Sequence, residues 1–307
     1  MSKKQNYFII TVDTEGDNLW EYKGGEVETK NALFLPRFQQ LCEKYGFKPV
    51  YLTNYEMIMS DDFVHFAKES VKKGTCEIGI HLHAWNNPPF YQLPHRYNQN
   101  SYLIEYPVDV RRKKFKLLYD LINERIGMPP VSHRAGRWAM DEDYYKLLGE
   151  FDIKVDCSVT PFISWQKTPG ESIDSGTDYS QSSYKTHIIG KVLEVPMSIR
   201  RKRYLLDGSL KHRVKTMTIG HHLWMRPAMS TSKEMRYLID EISKEKDVDF
   251  VEFMIHSSEV MPGGSPYFRT EADIEREYHM IEELFLHARN KGYEGVTLSD
   301  YHKIKKQ

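Results

Sequence analysis

Short runs of β-branched and aromatic residues alternate along this chain with longer amphipathic stretches, and that alternation constrains the fold more than any other feature. Candidate strands cover residues 7–12, 48–52, 76–81, 131–134, 154–157, 192–195, 250–255 and 295–298. Candidate helices between them cover 32–45, 61–72, 110–126, 141–150, 232–245 and 271–291. A parallel neighbour can be reached only by a crossover, usually a helix, so this order predicts a parallel α/β sheet, either a barrel or a doubly wound layer. Over residues 110–126 the helical period puts Val110, Phe115, Leu118, Leu121 and Ile122 on one side. Asp141 and Ser232 stand at N-cap positions, and Gly127 follows a helix end. Two stretches, near 85–107 and 164–186, break the pattern. The first is rich in Asn, Pro, Tyr and His, the second in Ser, Gly, Asp and Thr. Because α/β order resumes after each, they read as excursions that shape a ligand cleft within one domain spanning residues 1–307.

Composition narrows the function classes. Lys+Arg and Asp+Glu are equal at 43 each, which excludes a surface that attracts polyanions globally and gives no reason to expect a nucleic-acid partner. The three cysteines, Cys42, Cys76 and Cys157, are too widely spaced for a metal knuckle and too few for a disulfide framework. The apolar run at 8–12 is shorter than a signal-peptide core, and no stretch approaches the length of a membrane span. The expectation is a cytoplasmic protein without a membrane span.

Chemistry-bearing residues cluster at strand ends. The first strand closes in Thr11-Val-Asp-Thr-Glu-Gly-Asp17, where strand alternation lets Asp13 and Glu15 face the same way; an acidic turn capping the next segment is the alternative. The third closes in Glu77-Ile-Gly-Ile-His-Leu-His83, and the i, i+2 spacing makes His81 and His83 a pincer for a first-row metal. Next comes Ser132-His-Arg-Ala-Gly-Arg-Trp138. Here Arg134 can hold a carboxylate ionised, Gly136 permits close backbone approach and Trp138 offers a stacking face; two surface arginines beside a partly buried tryptophan is the plainer reading. Finally, Val251-Glu-Phe-Met-Ile-His256 ends an apolar strand in a histidine suited to general acid chemistry.

Taken together and in order, these motifs resemble the polysaccharide deacetylase (NodB-homology) family, carbohydrate esterase family 4 and its relatives. The matching segments are Thr11–Gly16, Glu77–His83, Arg134–Trp138 and Phe253–His256, with Asp156–Pro161 similar to a further family segment. The resemblance implies a distorted (β/α) barrel of about seven parallel strands. It implies metal-dependent hydrolysis of an N-acetyl group from an amino sugar in a polysaccharide or glycoconjugate precursor. Asp13 would then be the general base, Glu15 and His81 metal ligands, Arg134 the group that tunes the base, and His256 the acid.

Two departures from the family pattern stand out. The acids flank Thr14 instead of being adjacent, so Asp13 and Glu15 can exchange roles or Asp17 can take part. The usual second histidine position is occupied by Trp85, which cannot ligate, and His83 is its substitute. The ion expected is zinc, with cobalt, nickel or iron as alternatives suited to two histidines and a carboxylate. Trp85 and Trp138 are candidate sugar-stacking faces, and Asn54, Asn86 and Asn87 candidate donors to sugar hydroxyls. The basic run Arg200–Arg203 reads as solvated surface. Competing readings are hydrolysis of a non-sugar amide or cyclic ureide, as in allantoinase-like relatives, and a catalytically silent carbohydrate-binding protein.

Overall fold

The computed structural model describes residues 4–22, 25–94, 100–202 and 221–306. Its central strand is β1 (Asn6–Thr14), where Phe8, Ile9, Ile10 and Val12 are all buried, as expected of a parallel strand covered on both faces. From β1 the sheet runs through β2 (Pro49–Thr53), β3 (Glu77–Leu82), β4 (Ser132–Ala135) and β5 (Val155–Asp156). Beyond β5 lie β7 (Val192–Glu194) and the antiparallel edge strand β6 (His187–Ile189). A short hairpin of β8 (Ile199–Lys202) and β9 (His221–Trp224) stands apart. On its other side β1 pairs in parallel with β10 (Phe250–His256), and its first residues also pair with β11 (Tyr293–Gly295). The parallel path β10-β1-β2-β3-β4-β5-β7 curls into a half-barrel, in agreement with the distorted barrel of about seven strands.

Register brings the chemistry level. Asp13 pairs with His256 across β1–β10, and His81 pairs with Arg134 across β3–β4. The motifs read at four strand ends therefore meet at the C-terminal edge of one sheet, where parallel α/β folds build sites.

The helices follow the periodicity closely, and the exceptions have local causes. Asp61–Lys72 matches its predicted bounds, and Val108–Ile126 ends at Gly127, whose φ of 92° suits a left-handed C-cap. In that helix Leu121 is only half-buried, while Lys114 is buried with its ammonium on backbone carbonyls and Arg111 with its guanidinium on backbone carbonyls and the Asp141 carboxylate. Asp141 caps Glu142–Glu150 by accepting from the Tyr144 N–H. Ser232 is not a cap: Thr231 holds that position and closes a capping box with Glu234. Residues 295–298 are not a strand. The strand is Tyr293–Gly295, and Leu298 opens the helix Leu298–Lys305, capped by Thr297. Among the described residues no helix is long and apolar enough to cross a membrane.

Candidate active site

Asp13, Glu15, His81, His83 and His256 line one cavity of about 420 Å³, within the size range of small-molecule sites. Glu15 leaves β1 with its backbone held on both sides. Its N–H donates to Ser257 Oγ, and its carbonyl accepts from Ser257 Oγ and Asn31 Nδ2. Gly136 lets the turn after β4 press against this site: a Cβ there would lie 2.4 Å from His83 Cδ2 and from the Leu82 carbonyl oxygen.

The donor set fits a divalent cation. Nε2 of His81 and Nε2 of His83 are 3.0 Å apart, and they stand 3.5 and 3.3 Å from Glu15 Oε2. Bond lengths of 2.0–2.2 Å in a tetrahedral site separate neighbouring donors by about 3.3 Å. The Nδ1 of His81 lies 3.0 Å from the Arg134 carbonyl oxygen, which only accepts, so Nδ1 carries a proton and Nε2 is the ring atom that would face an ion. Burial pushes the His83 pKa well below its ordinary value. His83 is therefore neutral, the form that ligates, and its Nδ1 has no hydrogen-bond partner among the described residues. Asp17 stays outside this set: its carboxylate accepts from the Lys30 and Asn31 backbone N–H groups, so the acidic-turn reading holds for it.

Asp13 is paired with a buried arginine. Arg134 is fully buried, not at the surface, and its Nη1 donates to Asp13 Oδ1 at 2.5 Å. Burial alone would raise the Asp13 pKa, but the charge and hydrogen bond of the Arg134 guanidinium are the main opposing causes, and the carboxyl is held below its usual range. The other guanidinium nitrogens reach Thr11, the Cys157 carbonyl and Glu252. Glu252 is a missed member of the site: it stands in an apolar strand, and its alternation inward with Met254 and His256 is the signal that marks it.

His256 stands opposite, its Nε2 3.9 Å from Asp13 Oδ2 and 3.8 Å from Glu15 Oε1. Arg226 Nη2 donates to His256 Nδ1 at 3.0 Å and also to Glu259 at 2.9 Å. Because a guanidinium cannot accept, the proton of the neutral imidazole is placed on Nε2, facing the cavity. Neither Arg226 nor Glu259 carries a sequence signal: Arg226 lies just past β9, and Glu259 lies in the short 3-10 turn Ser257–Val260 after β10.

All five tryptophans of the chain line this cavity: Trp20, Trp85, Trp138, Trp165 and Trp224. Trp85 stacks on His83 at 4.3 Å, and Trp20 meets His256 edge-on at 4.7 Å. Arg137 and Trp138 take positive φ values of 56° and 64°, a backbone conformation kept mostly by functional demands at non-glycine residues. Both excursions contribute walls, Tyr102 from the first and Trp165 from the second, joined by a hydrogen bond from Tyr102 to the Thr168 carbonyl. The asparagines divide. Asn54 caps the short helix Tyr55–Met59 and Asn87 donates to the Pro88 and Lys114 carbonyls, so both serve structure, whereas Asn86 contacts Glu56. Arg200 pairs with Glu245, and Arg203 lies outside the described residues.

Similar folds place this architecture. A crystal structure assigned as a polysaccharide deacetylase from Mycobacterium smegmatis superposes with a TM-score of 0.57 at 15% identity, covering 99% of this chain and 91% of that one. The chain has the polysaccharide deacetylase fold. A protein assigned as a glycoside hydrolase/deacetylase from Parabacteroides distasonis gives 0.61 at 11% identity, covering 100% of this chain and 73% of the other. The 4-alpha-glucanotransferase of Thermococcus litoralis gives 0.56 at 14% identity over 98% of this chain and 40% of its own. Fold likeness alone does not fix a reaction, so the reaction must be argued from the site. No family model and no curated protein matches the sequence.

Proposed function

We propose that this protein is a metal-dependent hydrolase that removes an N-acetyl group from an amino sugar in a polysaccharide or glycoconjugate precursor. One observation carries the reading: a base candidate, an acid candidate and a three-residue donor set face one aromatic cavity on a deacetylase fold. Glu15, His81 and His83 hold the ion, zinc by preference. Once bound, it supplies Lewis-acid polarisation of the acetyl carbonyl and lowers the pKa of water.

The chain's own residues do the rest. Asp13, ionised through Arg134, takes a proton from the attacking water as its oxygen adds to the acetyl carbon. His256 donates its Nε2 proton to the amide nitrogen as the C–N bond breaks, because an unprotonated amine anion leaves poorly. Acetate and the free amino sugar are the products. Arg226 keeps the His256 proton on the cavity side, and the surrounding tryptophans offer apolar faces to the sugar and limit water. Acetate release from N-acetylglucosamine oligomers, measured with metal content on the same sample, tests the proposal. About one ion per chain with acetate release is expected, and no acetate across a glycan panel would sink it.

A further inference from the structure

Among the described residues, one cation in the wall of the aromatic cavity lacks a carboxylate partner. Arg111, Arg134, Arg200 and Arg226 each meet an Asp or Glu side chain within 2.9 Å. Arg137, half-buried in the cavity wall, makes no such pair among the described residues. Its Nη1 donates to the Asn100 carbonyl and its Nη2 to the Pro169 carbonyl at 2.9 Å, while the guanidinium carbon stands 4.1 Å from the Tyr102 ring centroid. Glu105, whose charge reaches Arg137, is spent elsewhere. Its two oxygens accept from the Tyr102 and Glu171 backbone N–H groups at 2.7 Å.

Carbonyl oxygens satisfy N–H groups, but they do not offset a full charge drawn out of water. Burial accordingly lowers the Arg137 pKa. Two of the five guanidinium N–H groups are used in the carbonyl bonds, which leaves three for a ligand, and the Tyr102 ring fixes the plane in which they point. The backbone is bent to put them there. Arg137 follows Gly136, which packs against His83, and its φ of 56° is a conformation that a non-glycine residue adopts at a cost. Trp85 Nε1, which only donates, lines the same cavity and has no acceptor among the described residues. Both groups call for acceptor oxygens, and Arg137 calls for a negative charge.

We infer that Arg137 binds an anionic group of the substrate, a carboxylate or a phosphate, so that the glycan or precursor acted on is an acidic one. The inference rests on the deacetylase reading of this cavity. A guanidinium matches either group with two parallel N–H···O bonds, which a lysine cannot do.

The test is isothermal titration of the zinc-supplemented chain in the Asp13→Asn background, which holds turnover off. One set of ligands is N-acetylglucosamine, N-acetylglucosaminuronic acid and N-acetylglucosamine 1-phosphate. The other is chitotetraose and a tetrasaccharide alternating glucuronic acid with N-acetylglucosamine. An acetate assay on neutral and acidic ligands runs in parallel with Asp13 intact. An acidic ligand should bind at least about tenfold tighter than its neutral counterpart, a margin of about 1.4 kcal/mol. Preference for the uronic acids assigns a carboxylate, and preference for the 1-phosphate assigns a phosphate. Arg137→Met should remove most of the preference and leave neutral ligands within about twofold. Should that variant unfold, Arg137→Lys decides: a reduced preference supports the inference and an unchanged one overturns it. No binding, no preference for any acidic ligand, or an equal loss for neutral and acidic ligands in Arg137→Met would also overturn it, the last by showing that Arg137 only clamps Asn100 and Pro169. An Arg137-dependent preference without acetate release would support the anion site and defeat the deacetylase reading. Acetate release without any preference would do the reverse.

Discussion

Two buried clusters of histidine and carboxylate stand near each other on the same sheet, and they behave in opposite ways. At the ends of β1 and β3, Glu15, His81 and His83 turn their ligand atoms towards one another and towards a cavity, and His83 Nδ1 finds no partner among the described residues. Inside β4, β5 and β7, His133, Asp156 and Glu194 are equally buried but closed. His133 Nδ1 donates to Asp156 at 2.6 Å, its Nε2 accepts from Tyr144 at 2.8 Å, and Tyr145 donates to Glu194 at 3.1 Å. Burial lowers the His133 pKa despite Asp156, so the ring is neutral. Burial, followed by the adjacent Asp156 charge, drives the Glu194 pKa well above its usual range, so Glu194 holds a proton beside ionised Asp156. Residue type therefore does not distinguish a site from a structural network. Convergence of unspent ligand atoms on open space does.

That contrast fails if the wrong cluster controls metal and turnover. The largest effect belongs to the open cluster: Asp13→Asn should lower kcat by about a thousandfold, the scale of general-base removal, with metal content unchanged. His81→Ala should lose both the ion and activity. Loss of metal in Asp13→Asn would instead exchange the roles of Asp13 and Glu15.

The closed cluster should act on stability alone. His133→Ala leaves the buried Asp156 carboxylate without its strongest donor and should cost about 4 kcal/mol in urea unfolding, with full metal occupancy. A metal loss there would break the comparison.

Glu259 sharpens it from the acid side of the site. Burial would raise its pKa, but Arg226 and His256 hold it at about 2, against an ordinary value of 4.5. A depressed carboxyl pKa stabilises the fold fully above the unfolded value and loses that contribution as pH falls through the folded one. The wild type should therefore exceed Glu259→Gln by about 3 kcal/mol near neutrality, and the gap should close between pH 4.5 and 2. A gap constant across that range would show that Glu259 acts through packing and not charge. Smallest of all, Tyr144→Phe should cost about 1 kcal/mol and spare turnover, because it removes one neutral hydrogen bond.

Strand–helix alternation was legible in local sequence because periodicity is a property of neighbours along the chain. Less legible were β6, β8 and β9, where His, Arg or Lys breaks the apolar run, and the short helix Leu298–Lys305. Ser232 and Thr231 are both competent caps, and only the capping box with Glu234 decides between them. Among the site residues, Asp13, Glu15, His81, His83 and His256 could be picked out because each ends a strand, and parallel strands deliver their ends to one edge. Arg134 had both a surface reading and a carboxylate-holding one until the fold put Asp13 on one side of it and Glu252 on the other.

Local pattern thus determined the element order, the parallel sheet and the edge at which chemistry would gather. Tertiary structure decided which polar groups are spent and which remain free: Asp17 used up in its turn, Arg226 setting the His256 proton, five scattered tryptophans drawn around one cavity. The physical reason is range. Backbone propensity and hydrophobic period act over a few residues, whereas hydrogen-bond satisfaction and desolvation depend on partners more than a hundred positions away, as for Asp13 with Arg134 and Glu15 with Ser257.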